Sequence, residues 1–360
     1  MGGLFDWLGK LAHQQADRKT QIRIAGDHIS SGAALPVSPV AEEHYIRLWL
    51  VEMFLRDGAS WFTSRYPLTY SLVEMNYAGK GVEFANVSGK NKLDIKRTDL
   101  GRSLVYNYPL TPLLPFRGGT VSLDCGLVSM TSDNVLTKFA GVVSEFAGKF
   151  GAAQIAAGTD LASSIASSVQ DLLGAGDAVS KLYYHNSFGG AGGAAPLTSG
   201  YIFLSEKSDG EIKPERLWIT NDGIREGAAG ALSRLDPQDY MLIQIECASE
   251  RDDYRAFTYV SEPFDQALDA KAEGDDAKGQ LLLRQAKRTV QKSPDFTKLD
   301  AKRIAAALDA AYANDGWMAA KEPASPFEEF ELDEHNRFVG AISRVSLDEA
   351  RSLPDSANNP

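Results

Sequence analysis

The run at residues 44–55, HYIRLWLVEMFL, places a strong constraint on the fold. Read as a strand, Tyr45, Arg47, Trp49, Val51, Met53 and Leu55 form one face, and Ile46, Leu48, Leu50 and Phe54 the other. Both faces are largely apolar, the pattern of a strand buried centrally. A helix is the alternative for this run. Further strands are expected at 70–77, 81–87, 103–108, 120–130, 179–188, 201–205, 216–220, 240–248 and 255–260, with a short alternating segment at 21–29. The last two long runs read as a hairpin around the charged turn SERDD at 249–253. Asn221-Asp222-Gly223 is a tight-turn signal. Residues 30–39 read as a linker, 86–97 as a polar loop, and 108–119, with Pro109, Pro112 and Pro115, as an ordered extended loop.

Two helices are expected at 132–174, between strand-rich halves. Val135, Phe139, Val142, Phe146 and Phe150 recur at helical spacing, behind Ser132 and Asp133 as caps. Ile155, Leu161, Ile165 and Val169 repeat the pattern among Ala, Ser and Gly. A hairpin packed on a sheet is the first reading. A membrane-active hairpin is the second, and Lys138, Glu145, Lys149 and Asp160 oppose it by interrupting the apolar run a spanning helix requires.

After residue 262 the period changes from two to 3.6. Helices are expected at 263–272, 277–291 and 298–313, with Asp275 and Thr297 as caps for the last two. Leu281, Leu282, Ala286 and Val290 form one apolar stripe, and Ile304, Leu308, Ala311 and Tyr312 another. The expected class is α+β: an antiparallel β-sandwich-like body at 20–262 with the helical hairpin inserted, then a small C-terminal helical unit at 263–314. An N-terminal amphipathic helix occupies 1–19, and an acidic, partly irregular tail 315–360.

The 360 residues suffice for a full core, and 44% hydrophobic with 24% charged residues is ordinary for a globular protein. A formal net charge of −11 opposes nucleic-acid binding, which needs Lys and Arg at phosphates. It also makes an anionic membrane a second choice behind a protein partner or self-association. The sequence from 251 onward holds 15 basic and 21 acidic residues, more than its share of that charge. Two cysteines, Cys125 and Cys247, form no disulfide framework, and the N-terminal residues show no secretory pattern, so a cytoplasmic location is expected.

Catalytic and cofactor signatures fail individually. The nearest approach to a phosphate-binding loop, Gly148-Lys149, has Phe150 where a hydroxyl is needed and Val143 where the first glycine belongs. The histidines are scattered without metal-ligand spacing, so no metal and no cofactor is expected. Asp124-Cys125-Gly126 is the best candidate for a nucleophile. Cys125 needs a base, and His185 or His44 supplies one if the fold brings it close; otherwise Cys125 is a core thiol. The carboxylates Asp252 and Asp253 lie beside Arg251 and Arg255 and read as surface ion pairs.

Two segments read as contact elements. Leu4, Leu8 and Leu11, with Phe5 and Trp7, line one face of the N-terminal helix. Phe327, Phe330 and Leu332 lie among the carboxylates of SPFEEFELDE at 325–334, a composition suited to a basic groove. The expected function is therefore a non-catalytic interaction or assembly component of a cytoplasmic complex. A membrane-active protein using 132–174 is the alternative, and an enzyme or hydrolase around Cys125 the second alternative.

Overall fold

The computed structural model describes residues 20–29, 36–56, 65–77, 79–88, 104–130, 178–189, 195–208, 210–235, 237–314 and 316. The N-terminal contact residues Leu4, Phe5, Trp7, Leu8 and Leu11, the helical pair at 132–174 and the tail residues Phe327, Phe330 and Leu332 lie outside the described residues.

The described chain is α+β, with mainly antiparallel sheets followed by three helices. The first sheet has the order β1-β9-β13-β2-β5, formed by Thr20–Arg23, Gly200–Ser205, Tyr240–Ala248, Tyr45–Phe54 and Leu104–Pro109. A two-residue strand β6, Leu114–Pro115, also pairs with β2. The second sheet runs β4-β3-β7-β8, formed by Lys80–Ser88, Tyr66–Tyr77, Val121–Met130 and Ala178–Phe188. A small third sheet joins β10 (Leu217–Thr220), β11 (Gly223–Ala228) and β12 (Ala231–Arg234). The Asn221-Asp222 turn connects β10 to β11, with Thr220 opposite Gly223.

The run that reads as a centrally buried strand is β2, and it is covered on both sides. Ile46, Leu48 and Leu50 enter a cluster with Val73 and Met75 of β3, Leu123, Cys125 and Leu127 of β7, and Ile243 and Ile245 of β13. Trp49 and Val51 enter a second cluster with Phe203 of β9 and with Leu217, Ile219 and Ile224 of the small sheet. The face assignment changes midway. Met53 and Leu55 join the first cluster and Phe54 the second, the reverse of strict alternation. The cause is a bulge: the register shifts between Leu50 and Glu52 against β5, and between Leu242 and Ile243 against β13. One extra residue swaps every later side chain to the other face. Glu52 sits at this irregularity, fully buried, accepting from Ile224 N–H at 2.7 Å and from the Tyr240 hydroxyl.

The last expected strand, 255–260, is not one. Asp252–Ala256 is a short 3-10 turn, and α1 begins at Thr258, running to Ala272 with Pro263 inside it. Phe257, Val260 and Phe264 are spaced as a helical face and are buried together, so packing outweighs the hydrogen bond that Pro263 cannot donate. The helices α2 (Asp276–Lys292) and α3 (Lys298–Ala313) agree with the expected spans, and both expected caps form. Asp275 accepts from Lys278 N–H at 3.0 Å and Thr297 from Asp300 N–H at 3.1 Å.

The β3–β7 pairing contains one contact that no local pattern shows. Tyr70 lies opposite Gly126, and a Cβ built on Gly126 would fall 2.5 Å from the Tyr70 ring. The ring occupies the space that a side chain would need. Gly126→Ala is therefore expected to destabilise the protein by about 1–3 kcal/mol through overpacking. A urea unfolding midpoint unchanged from wild type would show that Tyr70 yields without cost.

Candidate functional site

Cys125 lies within β7, opposite Tyr184 of β8, with its side chain in the main core and only 2% exposed. Burial first, and the Asp124 carboxylate second, push its thiol well above the ordinary range. Burial and a raised pKa both oppose a nucleophilic role, which needs a reachable thiolate. Cys247 is only half-buried, and burial with Glu246 nearby pushes its thiol up to about 11. A cavity of about 10 Å³, the size of one water, adjoins Cys125, Ser71, Leu50 and Ile243. It is too small for a substrate.

The neighbour in sequence does the polar work on the opposite face. Asp124 is 2% exposed, and its Oδ1 accepts from the Tyr183 hydroxyl at 2.7 Å and pairs with His185 Nδ1 at 2.8 Å. His185 stands directly across from Asp124 in the β7–β8 register. It therefore serves Asp124 and not Cys125, because successive strand residues point to opposite faces. The hydrogen bond to Asp124 raises the His185 pKa, with burial opposing. Glu74, on β3, is also shifted upward, by burial and then by Asp124, with His185 opposing. This is a proton-holding pair on a sheet face. Among the described residues no group of three or more His, Cys, Asp or Glu is placed to hold a metal.

A raised folded pKa for His185 stabilises the protein fully below the unfolded value near 6.5, and the gain disappears as pH rises through the folded pKa. The stability difference between wild type and His185→Asn is expected to be larger at about pH 5.5 than at about pH 9. Parallel urea midpoints across that range would contradict the pairing.

A second polar cluster joins the helices to the sheets. Arg251 is 2% exposed and ion-paired with Asp253 at 2.6 Å, while its Nη1 donates to the Asp295 carbonyl at 3.3 Å. Its guanidinium lies 4.6 Å from the centre of the Phe257 ring. Burial works against its charge, but the carboxylates of Asp253 and Asp295 outweigh it and raise its pKa. The expected ion pair of Arg251 with Asp253 thus forms, with Asp253 exposed but Arg251 itself interior. Asp300 Oδ2 accepts from Tyr45 of β2 at 2.7 Å and from Arg251 N–H at 3.0 Å, and Asp300 Oδ1 pairs with Arg303. Asp295 accepts from Tyr259 of α1 at 2.6 Å and from Tyr77 of β3. Arg117 reaches the Phe296 carbonyl at 2.9 Å and pairs with Glu42. These bonds leave β2, β3 and the loop at Arg117 and end at the α2–α3 connection and the first turn of α3, so the helical unit is held in one orientation. Their role is structural: every charged group is already satisfied inside the cluster.

The third feature is the outer face of α2. The triplet Leu281-Leu282-Leu283 cannot all turn inward on a helix. Leu283, Ala286 and Val290 form the buried face, above Gly279, and Leu281 is left 62% exposed. Of the expected stripe, Ala286 and Val290 are buried and Leu282 packs against the same core, while Leu281 turns outward and Leu283 takes its place. Arg284, Arg288 and Lys292 extend the exposed row at steps of three and four, with Gln285 alongside. The whole helix carries five basic residues against one carboxylate, in a chain of net charge −11. Lys287 pairs with Asp309 of α3, but Arg284, Arg288 and Lys292 have no carboxylate partner among the described residues. The exposed row on α1 has the opposite sign, with Glu262, Asp265, Asp269 and Glu273. Periodicity located α2 but not its outer face, because the position of the inward stripe depends on Tyr312 closing over Gly279.

Comparison with protein-family models, curated proteins and solved structures finds no match to this chain. No described helix is long and apolar enough to cross a membrane.

Proposed function

We propose that this protein is a non-catalytic interaction component of a cytoplasmic complex. In this reading a β-sandwich-like body holds the C-terminal helices in place, and α2 presents a docking face for acidic, aromatic chain segments. The N-terminal face of Leu4, Phe5, Trp7, Leu8 and Leu11 and the tail residues Phe327, Phe330 and Leu332 are its other contact elements.

The observation that carries the reading is the row Leu281, Arg284, Arg288 and Lys292. Like charges four residues apart repel on a helix by roughly 0.2–0.5 kcal/mol per pair. Arg284 with Arg288, and Arg288 with Lys292, form two such pairs, and an anionic partner would relieve both. Arg forks bind carboxylates in two-point geometry. Leu281 adds an apolar contact at the end of the row, as a partner with aromatic side chains requires. The junction around Arg251, Asp295 and Asp300 supports the reading by presenting this helix in a fixed orientation, which lowers the entropy lost on binding. The burial of Cys125 favours this reading over the enzyme alternative.

The test uses the full chain and a synthetic peptide of the sequence SPFEEFELDE in large excess. Zero-length carbodiimide coupling is expected to join peptide carboxylates to Lys278 or Lys292. The double variant Arg284→Glu, Arg288→Glu should lower the yield at least fivefold. About 0.5 M sodium chloride should do the same, because screening shortens the reach of exposed charges to a few ångströms. Equal coupling in wild type and variant would remove α2 as the docking face.

A further inference from the structure

We infer that the occupant of the α2 face is the chain's own segment at 325–334, bound within the same molecule. This inference rests on the reading of α2 as an acceptor for acidic segments and names what fills it.

Three observations point to this segment. The first is charge. Residues 325–334 hold five carboxylates, Glu328, Glu329, Glu331, Asp333 and Glu334, and no base. The row on α2 offers Arg284, Arg288 and Lys292, none of which has a carboxylate partner among the described residues. The second is chemistry beyond charge. Phe327, Phe330 and Leu332 alternate with the carboxylates, and the basic row begins at Leu281, the most exposed large apolar side chain of the helical unit at 62%. A purely acidic segment would have no use for that leucine.

The third is geometry. α3 ends at Ala313 beside the start of α2. Tyr312 lies over Gly279, and the Tyr312 carbonyl accepts from Lys271 of α1 at 2.7 Å. The chain therefore leaves the described fold near the first turn of α2. Eleven residues lie between Ala313 and Ser325, and an extended chain over those twelve steps spans about 40 Å. The row from Leu281 to Lys292 covers only about 16 Å of helix. The tether reaches every position of the row, and a tether this short holds its end at an effective concentration on the order of millimolar. A free partner must displace the segment before it can bind, so the tail sets a threshold for docking on α2.

The experiment compares the full-length wild type with a full-length variant whose segment is neutralised, E328Q/E329Q/E331Q/D333N/E334Q. Each is titrated with fluorescein-labelled SPFEEFELDE and followed by anisotropy. The neutralised variant is expected to bind the peptide at least tenfold more tightly than wild type. Adding R284E/R288E to that variant should abolish the gain. In wild type alone, carbodiimide should couple Lys278 or Lys292 to a carboxylate of 328–334 within one chain. Equal and measurable binding by wild type and neutralised variant would keep α2 as an acidic-segment acceptor and overturn self-occupancy. Absence of binding to both would overturn the acceptor reading as well. Coupling that joins heavy-isotope to light-isotope copies in a mixed sample would overturn the intramolecular form in favour of a second copy.

Discussion

The burial of β2 on both faces is the constraint from which the rest of the β-rich body follows. A strand with Ile46, Leu48 and Leu50 on one side and Trp49 and Val51 on the other must have cover on each side. The second sheet supplies the first cover, through β3 and β7. The small sheet β10–β12 supplies the second. Where the strand bulges, Glu52 enters the interior instead of an apolar side chain. A buried carboxylate is tolerated only when its oxygens are hydrogen-bonded. Ile224 N–H and the Tyr240 hydroxyl meet that need, and the bond from Ile224 also ties the small sheet to the large one. A substituent on Gly223 would strike the Glu52 carboxylate, so the tight turn between β10 and β11 and the buried acid depend on each other.

The helical unit is attached by a different kind of contact. Its own core, built from Phe257, Phe264, Leu283, Val290, Ile304 and Leu308, is closed within the three helices. Apolar packing of that kind is non-directional and would allow several orientations on the sheets. Directional bonds remove the freedom: Tyr45 to Asp300, Tyr77 to Asp295, and Arg117 to the backbone after α2. Taking Arg251 and its carboxylate partners out of water is costly, and their mutual pairing offsets that cost only in one geometry. The net effect is precision of placement more than stability.

That placement separates charge on the surface. α1 and α2 lie side by side, one with an acidic exposed row and the other with a basic one. The two rows look outward, and neither Arg284 nor Arg288 closes a salt bridge to α1. A chain that is acidic overall thus keeps one concentrated basic strip, and it follows that strip with a strongly acidic, aromatic segment.

Features whose physics is local were legible in the amino-acid pattern alone. The strands at 44–55, 120–130 and 240–248 were legible from alternation, and α2 and α3 from the 3.6-residue period. Asp275 and Thr297 were legible as caps because a cap bonds a backbone N–H only three residues away. Features that depend on register were not legible. His185 meets Asp124 across two strands 61 residues apart, and shifting that register by one would have turned His185 toward the Cys125 face instead. The start of α1 at Thr258 was hidden by Pro263, since local propensity opposes what the buried Phe257 and Val260 decide. The interior position of Arg251 needed Tyr45, Asp295 and Asp300 brought together from three parts of the chain. The exposure of Leu281 was decided by tertiary packing as well: three consecutive leucines specify a helix side only when Gly279 and Tyr312 choose which of them turns inward.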